Sequence, residues 1–305
     1  MKFRNISSKH ELEKPDLKKM RIKFAVIGDP IAHTLSPAMQ NAGLKALGLE
    51  ADYFAVHVVN SELGAFAERA RKELAGFNIT VPHKNAIIPF LDSISRESRI
   101  AGSVNTVTVK DGKLIGDTTD GYGMEQALRE AFRYEVPGGT IAFAGCGGAA
   151  HAVSVWFAAR GAKKLYFMNR TVKTAEILAE QIEKEYRIPC EVCGTDDPDS
   201  IRRFLKDSDI LLQCTSLGLK PEDPPPFDLA LLPEKIRVYD TIYKQTPICR
   251  ECARRGIPFA NGLGMLLHQG ARSMEIWTGR KAPVEIMRAA LENAFQEKSA
   301  GKKEN

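Results

Sequence analysis

Gly145-Cys146-Gly147-Gly148-Ala149-Ala150 stands between an apolar run, Thr140–Ala144, and a helical pattern over 151–160. No other feature of the chain restricts its possible folds as far. A Gly-x-Gly-x-x-Ala loop in that context opens a βαβ unit that takes a dinucleotide. Gly145 permits the tight turn, Gly147 lets backbone N–H groups approach a pyrophosphate, and Ala150 keeps helix and strand close. Gly148 and Ala149 lie at the helix N-terminus, whose partial positive charge favours an anion. The next strand, Lys164–Met168, ends in Asn169-Arg170-Thr171, without the carboxylate that reads an NAD ribose. Arg170 offers a planar fork for a 2′-phosphate, with Asn169 and Thr171 as further hydrogen-bonding groups, so the predicted cofactor is NADP(H).

The pattern continues with a helix over Val172–Tyr186 and strands over 189–193, 208–214 and 237–241, a parallel set. This predicts a Rossmann-type domain over 119–264. Upstream, strands over 22–27, 53–58 and 76–80 alternate with helices over 36–47 and 62–74, and Asp111-Gly112 marks a hairpin turn. Ser36-Pro37 reads as the N-cap and first turn of the first helix. The fold class is therefore α/β in two domains, the first over 21–118. Two late helices, 265–278 and 283–296, have no strand to pair with and are expected to pack back on the first domain, which 265–297 then completes.

A chain of 305 residues with 44% hydrophobic content can bury two cores. Its net charge of +5 belongs to the ends. Residues 1–20 carry six Lys/Arg against three acids, and 298–305 carry three Lys against one acid, which leaves the body neutral. Both stretches are expected to be flexible tails, and no nucleic-acid partner is predicted. The first 20 residues have acids and no apolar segment, which predicts neither a secretory signal nor a transit peptide. With no window apolar enough for a membrane span, the expected location is the cytoplasm, as a monomer or homodimer. Cys190-x-x-Cys193 and Cys249-x-x-Cys252 invite a zinc reading. The first pair lies in a predicted strand, where residues three apart face opposite ways, and the second in a helix without a tight turn. Ordinary reduced thiols, and no metal, are the expectation.

Hydride transfer to a ketone needs a proton donor for the developing alkoxide and groups that fix the substrate. Polar residues gather at the ends of the predicted strands: Thr34 and Ser36; Asn78, Thr80 and Lys84; Asn105 and Thr106; Thr119 and Asp120. Read as C-terminal strand ends, they would form the crevice of an open α/β sheet. Taken singly, Lys84 is an ordinary charged residue at a helix start. His33 and His83 stand nearby and are read as loop braces.

Several stretches together resemble the shikimate dehydrogenases: Gly28-Asp29-Pro30-Ile31-x-His33-Thr34-x-Ser36-Pro37, the run from Gly76 to Lys84, Gly102-Ser103-Val104-Asn105-Thr106, and the run from Gly116 to Gly121. The glycine loop, Asn169-Arg170-Thr171, and Asn261-Gly262-Leu263-Gly264-Met265-Leu266-x-x-Gln269 extend the likeness over residues 22–290. The resemblance implies reversible NADPH-dependent reduction of 3-dehydroshikimate to shikimate, in aromatic amino-acid biosynthesis. It implies that Lys84 protonates the new alkoxide and that Asp120 hydrogen-bonds the same hydroxyl and pairs with Lys84, favouring the ammonium form. It assigns Thr34 and Ser36 to the substrate carboxylate, and Asn78, Thr80, Asn105, Gln269 and Tyr243 to the rest of the ring. Gly264 and Met265 would line the nicotinamide side, with Thr215, Ser216 and Cys146 near the cofactor.

The chain departs from the family pattern at Thr34, where Ser is usual, and after Tyr243, where Lys244-Gln245-Thr246-Pro247 is about two residues shorter and lacks a proline. The added methyl bears on the choice between shikimate and quinate, and the loop beside Tyr243 is expected to follow a different path. A dual-specificity quinate/shikimate dehydrogenase is the nearest alternative. A non-catalytic sensor of NADPH or shikimate-like ligands is another, against which the retention of Lys84 and Asp120 argues.

Overall fold

A computed structural model describes residues 21–220 and 222–300. The chain divides into two compact units, one formed by the described residues through Thr119 together with those from Leu267, the other spanning Asp120–Leu266. The predicted tail at 1–20, and the part of the second tail from 301, lie outside the described residues.

The first unit contains β1 (Ile22–Gly28), α1 (Ser36–Ala46), β2 (Ala51–His57), α2 (Leu63–Glu73), β3 (Gly76–Ile79), α3 (His83–Ala86), β4 (Ser93–Ile94), α4 (Arg96–Ala101), β5 (Thr106–Lys110) and β6 (Lys113–Asp117). Its sheet runs β2-β1-β3-β5-β6-β4. β1 pairs in parallel with β2 and β3, whereas β5 is antiparallel to both β3 and β6. The reversal follows from the hairpin, where Asp111 (φ 52°) and Gly112 (φ 72°) both take the left-handed conformation that an Asp-Gly turn favours. Asn105 and Thr106 consequently stand at the N-terminal end of β5, opposite Asn78, and not at a C-terminal strand end as the sequence suggested. β4 is two residues long, too short to leave a periodic signal.

The second unit contains α5 (Asp120–Phe132), β7 (Thr140–Ala144), α6 (Gly148–Ala159), β8 (Lys164–Met168), α7 (Val172–Tyr186), β9 (Cys190–Cys193), α8 (Pro198–Asp207), β10 (Ile210–Gln213), β11 (Arg237–Asp240), α9 (Pro247–Arg255) and β12 (Phe259–Ala260). Its sheet is parallel throughout and runs β12-β11-β10-β7-β8-β9. Strand order therefore reverses between β7 and β10, the position at which a doubly wound sheet opens a ligand crevice. β7, β8 and β10 are buried along nearly their whole length, as strands covered on both faces must be.

The chain ends in α10 (Leu263–Thr278) and α11 (Val284–Ala300). From Leu267 onward these helices belong to the first unit. Gly43 of α1 allows close approach: a Cβ there would lie 2.9 Å from Met287 and 3.0 Å from the Met274 sulfur. Trp277 stacks on Phe24 at 4.8 Å between centroids and donates its indole N–H to the Val107 carbonyl at 3.0 Å. Residues 298–300, expected as tail, continue α11, and the Lys298 ammonium donates to the Thr34 carbonyl at 3.0 Å. At the sheet edge, Asn41 of α1 takes both backbone groups of Tyr53, donating to its carbonyl and accepting from its N–H at 2.8 Å each. That occupies an edge position otherwise open to a foreign strand. Among the described residues no helix is long and apolar enough to cross a membrane.

Gly76 sits where Trp277 meets the sheet, and a Cβ there would come within 2.8 Å of the Val107 carbonyl oxygen. Gly76→Ala should therefore destabilise the protein by about 1–3 kcal/mol, read from the urea midpoint by tryptophan fluorescence. An unchanged midpoint would refute this packing.

Candidate active site

In the first unit Asn78, Asn105 and Gln269 meet in a buried polar cluster where β3 ends and β5 begins. The Asn105 carbonyl accepts from Ile79 N–H at 2.8 Å and from the Asn78 side-chain amide at 3.1 Å. A carbonyl can only accept, so the amino end of Asn78 faces it and the oxygen end faces Tyr53. The Tyr53 hydroxyl donates to that oxygen at 2.7 Å, and burial holds this phenol well above its ordinary pKa, hence protonated. The Asn78 amino group also reaches Thr106 Oγ1 at 3.1 Å and Ser273 Oγ at 2.9 Å. At 6% exposure, with both ends of its carboxamide taken by protein groups, Asn78 is a brace.

Asn105 is turned by the same logic. Its Oδ1 accepts from the Thr119 backbone N–H at 2.8 Å and from the Thr106 hydroxyl at 2.9 Å. Its amino group is thereby directed to Gln269 Oε1, 3.2 Å away on α10, and to Thr119 Oγ1 at 2.9 Å. Asn105 and Gln269, 164 positions apart in sequence, are thus brought side by side. Lys84, on α3, is half-buried, and its carbonyl accepts from Val104 N–H at 2.8 Å, which ties its backbone to the segment carrying Asn105. Thr80 N–H donates to the Ile27 carbonyl at 2.9 Å, leaving its half-buried side chain beside Gly28. Ser36 is not the N-cap that its place before Pro37 suggested. The helix begins at Ser36 itself, and the Ser36 N–H donates to Thr34 Oγ1 at 3.3 Å, because the hydroxyl two residues back reaches it first. His83 is fully buried and donates from Nε2 to the Val58 carbonyl at 2.6 Å, which makes it a brace for the segment that precedes Lys84. His33 is exposed.

In the second unit Gly145 has φ +95°, and a Cβ there would lie 2.5 Å from Thr215 Cγ2 and 3.0 Å from Thr215 N. Both backbone shape and space demand glycine. Gly147 differs: its φ is −86°, and a Cβ would meet nothing within 4 Å. The chain's own packing gives no reason for glycine there, and the open volume lies at the N-terminus of α6, where Gly148, Ala149 and Ala150 present first-turn N–H groups without intrahelical acceptors. This is the space and charge that a pyrophosphate requires. Ala150 is fully buried in the helix–strand contact. Asn169 binds the loops together, its Oδ1 accepting from Cys146 N–H at 3.1 Å and its Nδ2 donating to the Thr171 carbonyl at 2.9 Å. Arg170 and Thr171 are exposed at the end of β8. The donor set fits a dinucleotide carrying an extra phosphate.

Buried Gln213 shapes the Thr215–Ser216 turn: its Oε1 accepts from Thr215 N–H at 2.6 Å and its Nε2 donates to the Leu217 carbonyl at 3.1 Å. Ser216 itself is exposed. Met265 N–H donates to the Tyr239 hydroxyl at 2.8 Å, and a Cβ at Gly264 would lie 3.4 Å from the same hydroxyl. The shortened loop beyond β11 is closed by Asp240, which accepts from the Thr246 hydroxyl at 2.6 Å and from Ile242 N–H at 2.9 Å. Burial pushes the Asp240 carboxyl upward, and these donors oppose the shift. Tyr243 sits on this short span, half-buried, with burial raising its phenol pKa. Asp120 opens α5 at 3% exposure. The Cys146 thiol, in the glycine loop, is pushed up to about 12 by burial and is no nucleophile at neutral pH. Among the described residues no group of three or more His, Cys, Asp or Glu is arranged to hold a metal ion. Sequence reading missed Tyr53, Gln213, Tyr239 and Ser273. Ser273 alone left a signal, lying one helical turn beyond Gln269.

A doubly wound parallel unit with a glycine turn at its switch point, joined in one chain to a mixed α/β unit lined with hydroxyls and carboxamides, defines a two-unit, dinucleotide-dependent dehydrogenase. Residues 26–107 match the family model of the shikimate dehydrogenase substrate binding domain, and residues 262–292 that of the shikimate 5′-dehydrogenase C-terminal domain. A relative from Methanopyrus kandleri, named shikimate dehydrogenase (NADP(+)), is 41% identical over 271 residues, covering 87% of this chain and 93% of its own. The chain belongs to the shikimate dehydrogenase family. The structure of shikimate 5-dehydrogenase from Listeria monocytogenes, in complex with shikimate and NAD, superposes with a TM-score of 0.84 at 32% identity, covering 92% of this chain and 99% of that one. That of the Thermus thermophilus enzyme, in complex with NADP(H) and shikimate, gives 0.78 at 32% identity, with coverages of 90% and 99%.

The two glycines separate packing from ligand space. Gly145→Ala should lower the melting temperature by several degrees, corresponding to about 1–3 kcal/mol, while Gly147→Ala leaves it unchanged. Equal effects in a thermal scan would contradict the geometry of the loop.

Proposed function

We propose that this chain catalyses the reversible NADPH-dependent reduction of 3-dehydroshikimate to shikimate, in the cytoplasm. The observation that carries the reading is the extent of the likeness, with 93% of the Methanopyrus kandleri NADP(+) enzyme matched at 41% identity. NADPH supplies the hydride when bound. Lys84 supplies the proton that the developing alkoxide needs, and accepts the hydroxyl proton in reverse. Asp120 hydrogen-bonds the same hydroxyl. Thr34 and Ser36 hold the carboxylate through their hydroxyls, and Thr80, Asn105, Gln269 and Tyr243 bind the ring. Asn105 and Gln269 act as a pair, since each carboxamide orients the other. The open space at Gly147 and the α6 N-terminus take the pyrophosphate, and Arg170 reads the 2′-phosphate. Gly264 and Met265 flank the nicotinamide. In this reading 21–118 with 265–297 form the substrate domain and 119–264 the NADP domain.

The direct test is NADP+ reduction followed by absorbance with shikimate and with quinate. No turnover with shikimate would overturn the proposal, and a larger kcat/KM with quinate would reassign the ring. Lys84→Ala should lower kcat about 100-fold or more while NADPH still binds, because the missing group acts on the proton in the transition state. Near-normal kcat removes Lys84 from the mechanism. Arg170→Ala should raise the Kd for NADPH about tenfold and hardly change that for NADH. Parallel losses for the two cofactors would show that Arg170 does not read the extra phosphate.

A further inference from the structure

We infer that Ser273 is a positioning residue that sets the direction of the Asn105 and Gln269 carboxamides, and through them the discrimination between ring substituents. The inference rests on the shikimate reading above. Ser273 is fully buried on α10, one turn after Gln269. Its hydroxyl stands 3.0 Å from the Gln269 carbonyl and accepts from the Asn78 amino group at 2.9 Å. It also lies 2.8 Å from Thr106 Oγ1 and 3.3 Å from Thr119 Oγ1. Asn78 is obliged to donate here, because its oxygen end is held by Tyr53 and its amino end by the Asn105 carbonyl. Ser273 carries one proton, and where it is given to Thr106 Oγ1 and not to the Gln269 backbone carbonyl, the Thr106 hydroxyl is left to donate to Asn105 Oδ1. That donation, with the Thr119 N–H, keeps the Asn105 oxygen inward and its amino group toward Gln269. A single hydroxyl thus joins α10 to the sheet, and its proton order propagates to both carboxamides. Alanine at 273 would remove the 2.8 Å partner of the Thr106 hydroxyl and one acceptor of the Asn78 amino group, freeing Thr106 and Asn105 to reorient.

The test compares Ser273→Ala and Ser273→Thr with Val107→Ala, a core control chosen for destabilisation without a polar change. Ser273→Ala should raise the KM for shikimate about tenfold, keep kcat within about threefold, leave the KM for NADP+ unaltered and shrink the shikimate/quinate ratio of kcat/KM. Ser273→Thr, which keeps the hydroxyl, should restore the ratio, and Val107→Ala should retain it despite a lower melting temperature. A Ser273→Ala enzyme that loses stability but keeps KM and ratio would overturn the inference. So would a crystal structure of that variant with Asn105 and Gln269 unmoved, a result independent of turnover. Absence of wild-type activity on shikimate, by contrast, strikes the functional reading alone.

Discussion

The backbone carbonyl of Asn105 can only accept hydrogen bonds, and the arrangement of the first unit's polar cluster follows from that restriction. It takes the Ile79 N–H as part of the sheet and then requires a donor from Asn78. Asn78 is thereby oriented, Tyr53 must donate, and Ser273 must accept. A buried donor or acceptor left unmatched costs about 1–3 kcal/mol, so the cluster tolerates few alternative proton arrangements. Carboxamides that would read a ring hydroxyl are consequently held in one orientation before any ligand arrives. Such preorganisation lowers the ordering cost of binding.

The second unit obtains its rigidity from close approach of main chain. Gly145 brings the β7–α6 turn against Thr215, and Gln213 shapes the facing turn from beneath the β10 strand end. Asn169 then ties the turn to the end of β8. In that turn the space left open is at Gly147, at a helix N-terminus. Asp240 performs a comparable task in the shortened Tyr243 loop, closing it with two hydrogen bonds where the family pattern has a longer span.

Much of this was legible beforehand, for local reasons. The glycine loop, the Asp-Gly hairpin and the missing acid after β8 are statements about a few consecutive residues, and short-range sterics decide them. Ser36 shows the limit of such reading: the Ser-Pro pair marked the helix start, but the neighbouring Thr34 hydroxyl took the role a cap would have played. The two-residue strands β4 and β12 left no pattern because pairing, not propensity, makes them strands. Asn78 was placed in the site by its neighbours in the chain, yet its own partners turned it into a support.

By itself the sequence determined the α/β class, the dinucleotide loop, the absence of an acid after β8 with Arg170 in its place, and the list of hydroxyls, amides and charges available for chemistry. Tertiary structure alone decided which of those groups remain for a ligand. Asn78 meets Ser273 across 195 positions and Asn105 meets Gln269 across 164, separations at which no local pattern constrains the partner. Hydrogen-bonding capacity is a property of the residue; whether that capacity is already satisfied depends on what the fold brings within about 3 Å.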